Sequence, residues 1–223
     1  MNRILLIDKP AGWTSFDVVA KVRGVLKKQT GQKVKVGHSG TLDPFATGLL
    51  VLGVGSYTKK LTELTGLDKT YEAAAILGKT STTGDPEGEL TAVSNVQPSQ
   101  QDILDVFDQF TGDIEQVPPA FSAKKVNGKR AYDLARAGKE VTLQPVEVTV
   151  HQLELVSYQY PELKFIVKVS KGTYIRTLAE DIGWALTTGA YLTQLRRTEV
   201  GEFIVDDAFD VSDFCEQLSA DAA

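Results

Sequence analysis

The most informative stretch of this sequence is Gly37–Gly48, which reads GHSGTLDPFATG. It places one carboxylate, Asp43, in a glycine-punctuated turn directly before the apolar run Leu49–Leu52. No other acidic residue lies between Asp17 and Glu63. The same interval contains these cations: Lys21, Arg23, Lys27, Lys28, Lys33, Lys35, Lys59 and Lys60. Nearby positive charge favours the ionised form of a carboxyl group, so Asp43 is expected to be an anion suited to nucleophilic chemistry on a nucleic acid.

The same stretch also has a simpler interpretation. Asp-Pro is an ordinary turn pair, and glycines commonly separate secondary-structure elements. Composition alone favours this simpler interpretation. The remainder of the sequence has to decide between the two.

Length and composition set the class of protein. With 223 residues, 42% hydrophobic and 24% charged, the sequence is typical of a soluble globular chain of one large domain or two small ones. The single cysteine, Cys215, excludes an internal disulfide, and two histidines leave little for a metal site, so neither a metal nor a cofactor is expected. We expect a cytoplasmic protein, since no apolar stretch reaches membrane-spanning length.

The charge is unevenly distributed along the chain. The net charge is −5, but no Lys or Arg follows Arg197, whereas eight acidic residues do. Residues 1–197 alone carry 24 basic and 21 acidic residues, a balance of +3. Residues 211–223 are expected to form a short acidic tail. The acidic total therefore does not exclude a nucleic-acid partner.

Hydrophobic periodicity predicts an α+β fold with a mixed, mostly antiparallel central sheet flanked by helices. The predicted strands are Ile4–Ile7, Leu49–Val54, Thr70–Leu77, Val146–Leu155, Leu163–Ser170 and Glu199–Val205. The predicted helices begin at a cap formed by Thr14 or Ser15, at Thr58, at Ser99, at Thr173 and near Asp213.

An inserted basic segment is predicted at Val117–Val141. The segment contains six cations and only two acidic residues, Asp133 and Glu140. The cations are Lys124, Lys125, Lys129, Arg130, Arg136 and Lys139. Lys129–Ala137 has the pattern of a helix. The segment is either a solvated charged surface or a movable flap that grips a polyanion, and the residues alone leave both open.

Three further residues are candidates for a site, each with a structural alternative. His38 could stack on a base or fill the gap left by a flipped one, although lone histidines are usually structural. Tyr71 heads a strand, where core packing is the more common role. Arg176 follows Lys171-Gly172-Thr173 in the first turn of a helix, a position that disfavours a cation unless it has an acidic partner. That partner is either Asp43 or, on the surface, Glu180.

These pieces together resemble the bacterial tRNA pseudouridine-55 synthases, the TruB family of pseudouridine synthases. The resemblance covers Ile4 to about Val205 in family order. The matching motifs are Leu6–Pro10, Gly37–Gly48, Lys69–Tyr71, Val117–Gly138, Lys171–Arg176 and Leu195–Arg197.

The resemblance implies roles for residues of the site. Asp43 matches the nucleophile, Arg176 its ion-pair partner, and Tyr71 the residue that stacks on the flipped uracil and is a candidate for proton transfer from C5. Tyr174 and Leu195 match residues of the uracil pocket. The matches to other RNA-contacting positions are His38, Lys59, Arg197 and, in the thumb-like basic segment, Lys125, Lys129 and Arg130.

The resemblance also implies a function: isomerisation of uridine to pseudouridine at position 55, in the T-arm of tRNA, by base flipping and without a cofactor. A monomeric catalytic domain, residues 1–210, that needs no protein partner is expected. Family members usually continue into a C-terminal PUA-type domain, whereas this chain stops at Ala223, so the sequence is either a naturally short form or a fragment, and weaker RNA binding is expected.

Two other functions remain open. An RNA-guided relative that modifies ribosomal RNA shares the Asp43 loop, although the thumb-like segment with Asn127-Gly128-Lys129 favours the stand-alone enzyme. A non-catalytic protein that binds or folds tRNA is the other alternative. Binding alone, however, does not require Asp43, Tyr71 and Arg176 together.

Overall fold

The computed structural model describes residues 2–122, 124–126, 128–139 and 141–214. The strands are β1 (Arg3–Lys9), β2 (Val36–His38), β3 (Thr47–Val54), β4 (Lys69–Leu77), β5 (Lys79–Ser81), β6 (Leu90–Ala92), β7 (Gly112–Gln116), β8 (Lys125–Val126), β9 (Lys129–Arg130), β10 (Val146–Gln159), β11 (Glu162–Val169), β12 (Ala190–Val200), β13 (Phe203–Ile204) and β14 (Phe209–Asp210). The α-helices are α1 (Ser15–Thr30), α2 (Leu61–Thr65), α3 (Gln100–Gln109), α4 (Ala131–Arg136) and α5 (Ile175–Ala185), with 3₁₀ helices over Gly55–Lys60 and Val205–Asp207.

The chain divides into two compact units. The first unit contains Met1–Glu72 and Leu195–Ala223, and the second contains Ala73–Gln194. Strands β4 and β12 each have residues in both units, because the chain passes between the units within these strands.

The sheet of the first unit is built on β3. Antiparallel β1 pairs with β3 from Arg3 opposite Val54 to Lys9 opposite Gly48, and antiparallel β2 also pairs with β3. β12 runs parallel to β3, with Arg197 opposite Gly48. β14 adds to β1 in parallel. This arrangement brings the ends of β2, β3 and β12 to the Asp43 loop.

Helix α1 covers one face of this sheet. Its sequence has a clear start, since the Thr14 hydroxyl accepts from the Asp17 amide at 3.0 Å and the Asp17 carboxylate accepts from the Thr14 amide at 2.8 Å. Buried α1 residues join the core with Leu5, Ile7, Leu50 and Leu52 of the strands. The buried apolar residues of α1 are Val18, Val19, Val22 and Leu26. Burial of this apolar stripe stabilises both the helix and the sheet.

The second unit is an antiparallel arrangement around β10. β11 and β7 pair with β10 on either side, and the sheet order places part of β4 beside β11. The rings of Phe107 on α3 and Phe165 on β11 pack edge to face, 5.9 Å between centroids. Helix α5 is buried along Ile175, Leu178 and Ile182.

The predicted α+β class with mostly antiparallel pairing is confirmed. The predicted strand Glu199–Val205 is wrong, because β12 spans Ala190–Val200 and only Phe203–Ile204 follow as β13. Thr58–Leu64 divides between a 3₁₀ helix and α2. Residues 211–214 are helical, and the rest of the predicted helix near Asp213 and of the acidic tail lies outside the described residues.

Candidate active site

The loop that carries Asp43 is anchored on both sides of the carboxylate. The buried Ser15 hydroxyl donates to the Leu42 carbonyl at 3.1 Å and accepts from the Leu42 amide at 2.8 Å. After Asp43, the Pro44 carbonyl accepts from the Gly12 amide at 2.8 Å, and the Asp43 carbonyl accepts from the Ala46 amide at 3.1 Å. Asp43 itself is half-buried. Its position is therefore fixed by α1 and β1 before any substrate binds.

A buried lysine supports the same loop. Lys9 is fully buried, and its ammonium donates to the carbonyls of Trp13 at 2.6 Å, Pro10 at 2.9 Å and Pro44 at 3.3 Å. Burying a cation is costly unless its donors are satisfied, and these carbonyls satisfy them. Lys9 was absent from the predicted site residues. The signal for it is its place in the motif Leu6–Pro10.

Arg197 lies within the protein beside the start of the loop. It is 1% exposed; its Nε donates to the Leu49 carbonyl at 2.8 Å and its Nη2 to the Gly40 carbonyl at 3.2 Å. Gly48 lies against the Arg197 backbone, so closely that a Cβ on Gly48 would be 2.3 Å from the Arg197 carbonyl oxygen. Arg197 thus connects β12 to both ends of the loop. Its predicted contact with RNA stays a prediction.

His38 lies where β2 enters the loop. It is half-buried, and its Nδ1 accepts from the Gly40 amide at 3.3 Å. Burial, together with the nearby Arg197 cation, lowers the pKa of His38 below its ordinary value of 6.5. His38 is therefore a neutral ring at pH 7, with its proton assigned to Nε2. This state suits a stacking role better than an acid or base role, and that role stays a prediction.

The other predicted residues of the first unit are Tyr71, Leu195 and Lys59. Tyr71 on β4 is 8% exposed and Leu195 on β12 is 7% exposed, while Lys59 is exposed in the 3₁₀ helix after β3. Burial of Tyr71 fits both core packing and a pocket wall. The roles of these three residues stay predictions.

In the second unit, Arg176 is a buried cation at the start of α5. It is 4% exposed, so the alternative of a surface arginine is wrong. Its Nη1 donates to the Thr83 carbonyl at 2.8 Å and lies 3.3 Å from an Asp85 carboxylate oxygen, while its Nη2 donates to the Phe121 carbonyl at 2.9 Å. Arg176 thus joins α5, the turn around Asp85 and the first residues of the basic segment.

Asp85 was absent from the predicted site residues. Its carboxylate also accepts from the Thr83 hydroxyl at 2.5 Å and the Glu87 amide at 3.0 Å. These bonds hold the carboxylate toward Arg176. The negative charge of the carboxylate offsets the unfavourable interaction between Arg176 and the dipole of α5. The available signal was Gly84-Asp85-Pro86, which has the same Asp-Pro pair as the Asp43 loop.

Glu180 lies one turn further along α5. Burial raises the pKa of Glu180 to about 7, and the neighbouring Asp181 and Asp85 add to this rise while Arg176 opposes it. A Cβ on Gly84 would be 2.8 Å from the Glu180 carboxylate. The Glu180 side chain therefore lies close to the turn around Asp85. A carboxyl group that titrates near neutral pH therefore borders the Arg176–Asp85 ion pair.

Tyr174 caps the N-terminus of α5 and is held by its backbone. The fully buried Gln116 accepts from the Tyr174 amide at 2.7 Å and donates to the Tyr174 carbonyl at 3.1 Å. This pair of bonds sets where α5 begins. The start of α5 in turn sets where Arg176, in its first turn, lies relative to Tyr174. The Tyr174 side chain is half-buried.

The basic segment has regular structure. β8 and β9 form a hairpin with Lys125 opposite Arg130, and α4 follows directly. The predicted helix Lys129–Ala137 is confirmed in a shorter form, Ala131–Arg136. The rings of Phe121 and Tyr132 pack edge to face at 6.2 Å. The roles assigned to Lys125, Lys129 and Arg130 stay predictions.

The predicted pairing of Asp43 with Arg176 joins residues of the two units and stays a prediction. Among the described residues, no three His, Cys, Asp or Glu side chains lie together in a way that could hold a metal ion. Within the same residues, no helix is long and apolar enough to span a membrane.

Two family models match the chain. The model described as "TruB family pseudouridylate synthase (N terminal domain)" matches residues 27–175, and the "tRNA pseudouridylate synthase B C-terminal domain" model matches residues 176–222. The chain belongs to the TruB family of pseudouridylate synthases. It is accordingly a pseudouridine synthase.

Relatives within the family have similar sequences over almost the whole chain. A protein of Phocaeicola vulgatus named tRNA pseudouridine synthase B is 45% identical over 97% of this chain and 93% of its own length. A protein of the same name from Flavobacterium johnsoniae is 42% identical over 97% of this chain and 96% of its own length. In Cupriavidus metallidurans the match is 46% identical but covers 68% of that relative, so TruB family members differ in length.

Solved structures show the same fold. A chain in a "Cbf5-Nop10-Gar1 Complex" superposes with a TM-score of 0.72 and 27% identity over 96% of this chain. A second, in an "H/ACA RNP bound to a substrate RNA containing 2'-deoxyuridine", gives a TM-score of 0.70 at 27% identity. The present chain spans about half the length of these solved chains, 53% and 52%.

Proposed function

We propose that this TruB family chain converts uridine to pseudouridine in tRNA, at position 55 of the T-arm. The relatives at 42–45% identity over 97% of the chain are named as acting on tRNA. The T-arm and the position follow from the resemblance of the six sequence motifs to tRNA pseudouridine-55 synthases.

The anchored Asp43 loop is the observation that carries this proposal. Ser15 holds the loop on one side of Asp43, and Gly12 with Lys9 holds it on the other. A catalytic carboxylate gains most when its position is set before the substrate binds, because the cost of ordering it does not fall on the reaction step. A protein that only bound tRNA would have no use for such a carboxylate.

The proposed reaction is an isomerisation. The N1–C1′ bond breaks, a C5–C1′ bond forms, and the proton that leaves C5 is balanced by the one gained at N1. No electrons are transferred and no group donor is needed. The Asp43 carboxylate either bonds covalently to C1′ or C6, or assists loss of a proton from the ribose to give a glycal. Tyr71 is assigned to stack on the flipped uracil and to carry the C5 proton.

Residues of both units supply the other proposed groups. Arg176 is assigned as the counter-ion of Asp43, and its bonds to Asp85, Thr83 and Phe121 keep its guanidinium in one orientation. Tyr174, fixed by Gln116, and Leu195 are assigned to the uracil pocket, with His38 beside the displaced base. Extruding the base from its stack costs a few kcal/mol, which contacts with these side chains offset.

We further propose that residues 1–210 act as one catalytic domain, with Val117–Val141 as an RNA-gripping thumb. Lys59, Arg197 and the cations of that segment are assigned to the RNA. The enzyme is proposed to work as a monomer in the cytoplasm, with no protein partner or cofactor.

The test is to incubate the protein with an unmodified tRNA transcript and to map pseudouridine by chemical derivatisation and reverse transcription. We expect one modified uridine, at position 55. Modification confined to another arm would contradict the assigned site, and absence of any pseudouridine would contradict the proposed substrate.

An RNA-guided activity is the second candidate, favoured by the match over 96% of the chain to a structure titled as an H/ACA RNP with substrate RNA. The two candidates differ in their need for accessory molecules. Conversion of a bare T-arm stem–loop, with no guide RNA or other protein, would exclude the guided function.

A further inference from the structure

Helix α1 presents a cationic surface that the proposed reaction does not use. Lys21, Lys27 and Lys28 are exposed on the helix, and Lys33 and Lys35 are exposed in the segment that follows it. We call these five residues the α1 lysine surface. Asp17 is the sole acidic residue on α1, and its carboxylate is already bonded to the Thr14 amide and hydroxyl, at 2.8 Å and 2.6 Å.

The ordinary structural roles of lysine do not account for this surface. Lys27 and Lys28 lie in the last turn of α1, where a cation complements the helix dipole, but Lys21, Lys33 and Lys35 lie outside that turn. The neighbouring Arg23 shows the contrast. Its guanidinium donates to the Val36 carbonyl at 2.9 Å and lies 5.9 Å from the centroid of the Phe16 ring, so Arg23 has a structural role.

The N-terminal end of α1 is bonded to the Asp43 loop. The first residue of α1, Ser15, bonds to Leu42, and the sixteen residues of α1 extend about 24 Å from that point. Beside the first turns lies an open groove of about 460 Å³, whose lining consists of Gly12, Trp13, Asp17, Ala20 and Lys21. Gly12 in turn donates to the carbonyl of Pro44, next to Asp43.

The groove and Lys21 therefore lie toward the end of α1 that is bonded to the Asp43 loop. The side chains of Lys21 and Lys28 are seven residues apart, so they lie on one side of the helix about 10 Å from each other along its axis. Exposed lysines spaced along a helix that carries one carboxylate suit a phosphate backbone, since each one that contacts a phosphate releases a bound counterion.

We infer that the α1 lysine surface binds the phosphate backbone of the tRNA outside the T-arm stem–loop. The inference rests on the proposed tRNA substrate and adds a second contact, distinct from the reacting site. The lysines position the RNA and take no part in the chemistry, so they raise affinity for whole tRNA and leave conversion of a bound uridine unchanged.

The test compares two substrates and three double variants. Lys21→Gln/Lys28→Gln removes two charges from the surface. Lys79→Gln/Lys168→Gln removes two exposed lysines of the second unit as the matched control. Each protein is assayed on unmodified full-length tRNA and on an isolated T-arm stem–loop. A second variant, Lys33→Gln/Lys35→Gln, lies outside the helix and separates loss of contact from any weakening of α1.

For full-length tRNA we expect Lys21→Gln/Lys28→Gln to lower kcat/KM through KM. It should also reduce the slope of log affinity against log salt by about two, roughly one for each lysine. Lys33→Gln/Lys35→Gln should act in the same direction. The control and wild type should match each other, and kcat/KM on the stem–loop should be the same for all four proteins.

An equal loss on tRNA and stem–loop would overturn the inference, as would no loss on tRNA or the same loss in the control. Failure of the wild-type protein to modify either RNA is a different outcome. That result would contradict the proposed function, and the inference with it.

Discussion

Asp85 and Arg176 form an ion pair whose side chains are each 5% exposed, whereas Asp8 and Arg196 form one whose side chains are 31% and 38% exposed. The two pairs have the same chemistry in different surroundings. Breaking a buried pair leaves an uncompensated charge away from water, while a half-exposed charge is solvated again. Burial therefore decides which pair the fold depends on.

Asp85→Asn is expected to lower the free energy of unfolding by about 3 kcal/mol, while Asp8→Asn lowers it by less than about 1 kcal/mol. Urea denaturation of both variants measures the difference. Asp85→Asn should also lower kcat, because Arg176 loses the carboxylate that orients it. Equal stability of the two variants would show that burial does not matter here.

Glu180 provides a pH test of the same region. Its pKa is about 7 in the fold and 4.5 in the unfolded chain, so between these values the fold binds a proton that the unfolded chain has lost. Its contribution to stability is thus fully present below pH 4.5 and is lost as the pH rises through 7.

Glu180→Gln cannot ionise, so the variant should become more stable than wild type as the pH rises, by about 1–2 kcal/mol at pH 8 after allowance for solvent screening. Denaturation from pH 5 to pH 8 provides the measurement. Curves for the two proteins that stay parallel over that range would contradict a raised pKa at Glu180.

At the scale of elements, β3 and β12 meet where the Asp43 loop ends. Gly48 has a φ of 101° and lies against the Arg197 backbone, so it serves both the turn into β3 and the parallel pairing with β12. Gly12 also has a positive φ, 79°, but no atom lies within 4 Å of the position its Cβ would take. Alanine at Gly12 would therefore cost only backbone strain, whereas alanine at Gly48 would add a steric clash.

Gly48→Ala is expected to cost at least about 2 kcal/mol more than Gly12→Ala, since only the former forces β3 away from β12. Thermal unfolding of both variants measures this difference. Gly48→Ala should also reduce turnover, because the Asp43 loop shifts with β3. If both alanine variants lost the same stability, the close approach of Gly48 to Arg197 would have no energetic consequence.

The elements that the sequence predicted are those with a local signal. Helix α1 has its capping box and apolar stripe, and in β11 buried residues alternate with residues that are less buried. β12 gave no such signal, because polar residues such as Thr193 and Arg197 interrupt it. Their partners are backbone carbonyls on other strands, at Ala74 and Leu49. Periodicity cannot predict bonds that only the folded sheet supplies.

At the scale of the whole molecule, the site residues that the sequence predicted also have a local signal, whereas the missed ones depend on contacts made in the folded chain. Asp43 and Arg176 stand in recognisable motifs. Asp85 and Gln116 act through contacts between distant parts of the chain, such as Gln116 with Tyr174 across 58 positions. Lys9 stands in the motif Leu6–Pro10, but its bond to Pro44 forms only in the folded chain. A single sequence gives no indication of such pairs until the chain is folded.

Asp43 is proposed to perform the chemistry of a tRNA pseudouridine synthase. The measurement that tests this role most directly is single-turnover release of tritium from C5 of uridine in labelled tRNA. Wild type and Asp105→Asn, which changes an exposed carboxylate on α3, should release the label at the same rate. Asp43→Asn should bind tRNA with unchanged affinity and release none. Release by Asp43→Asn at a rate near that of wild type would contradict the claim.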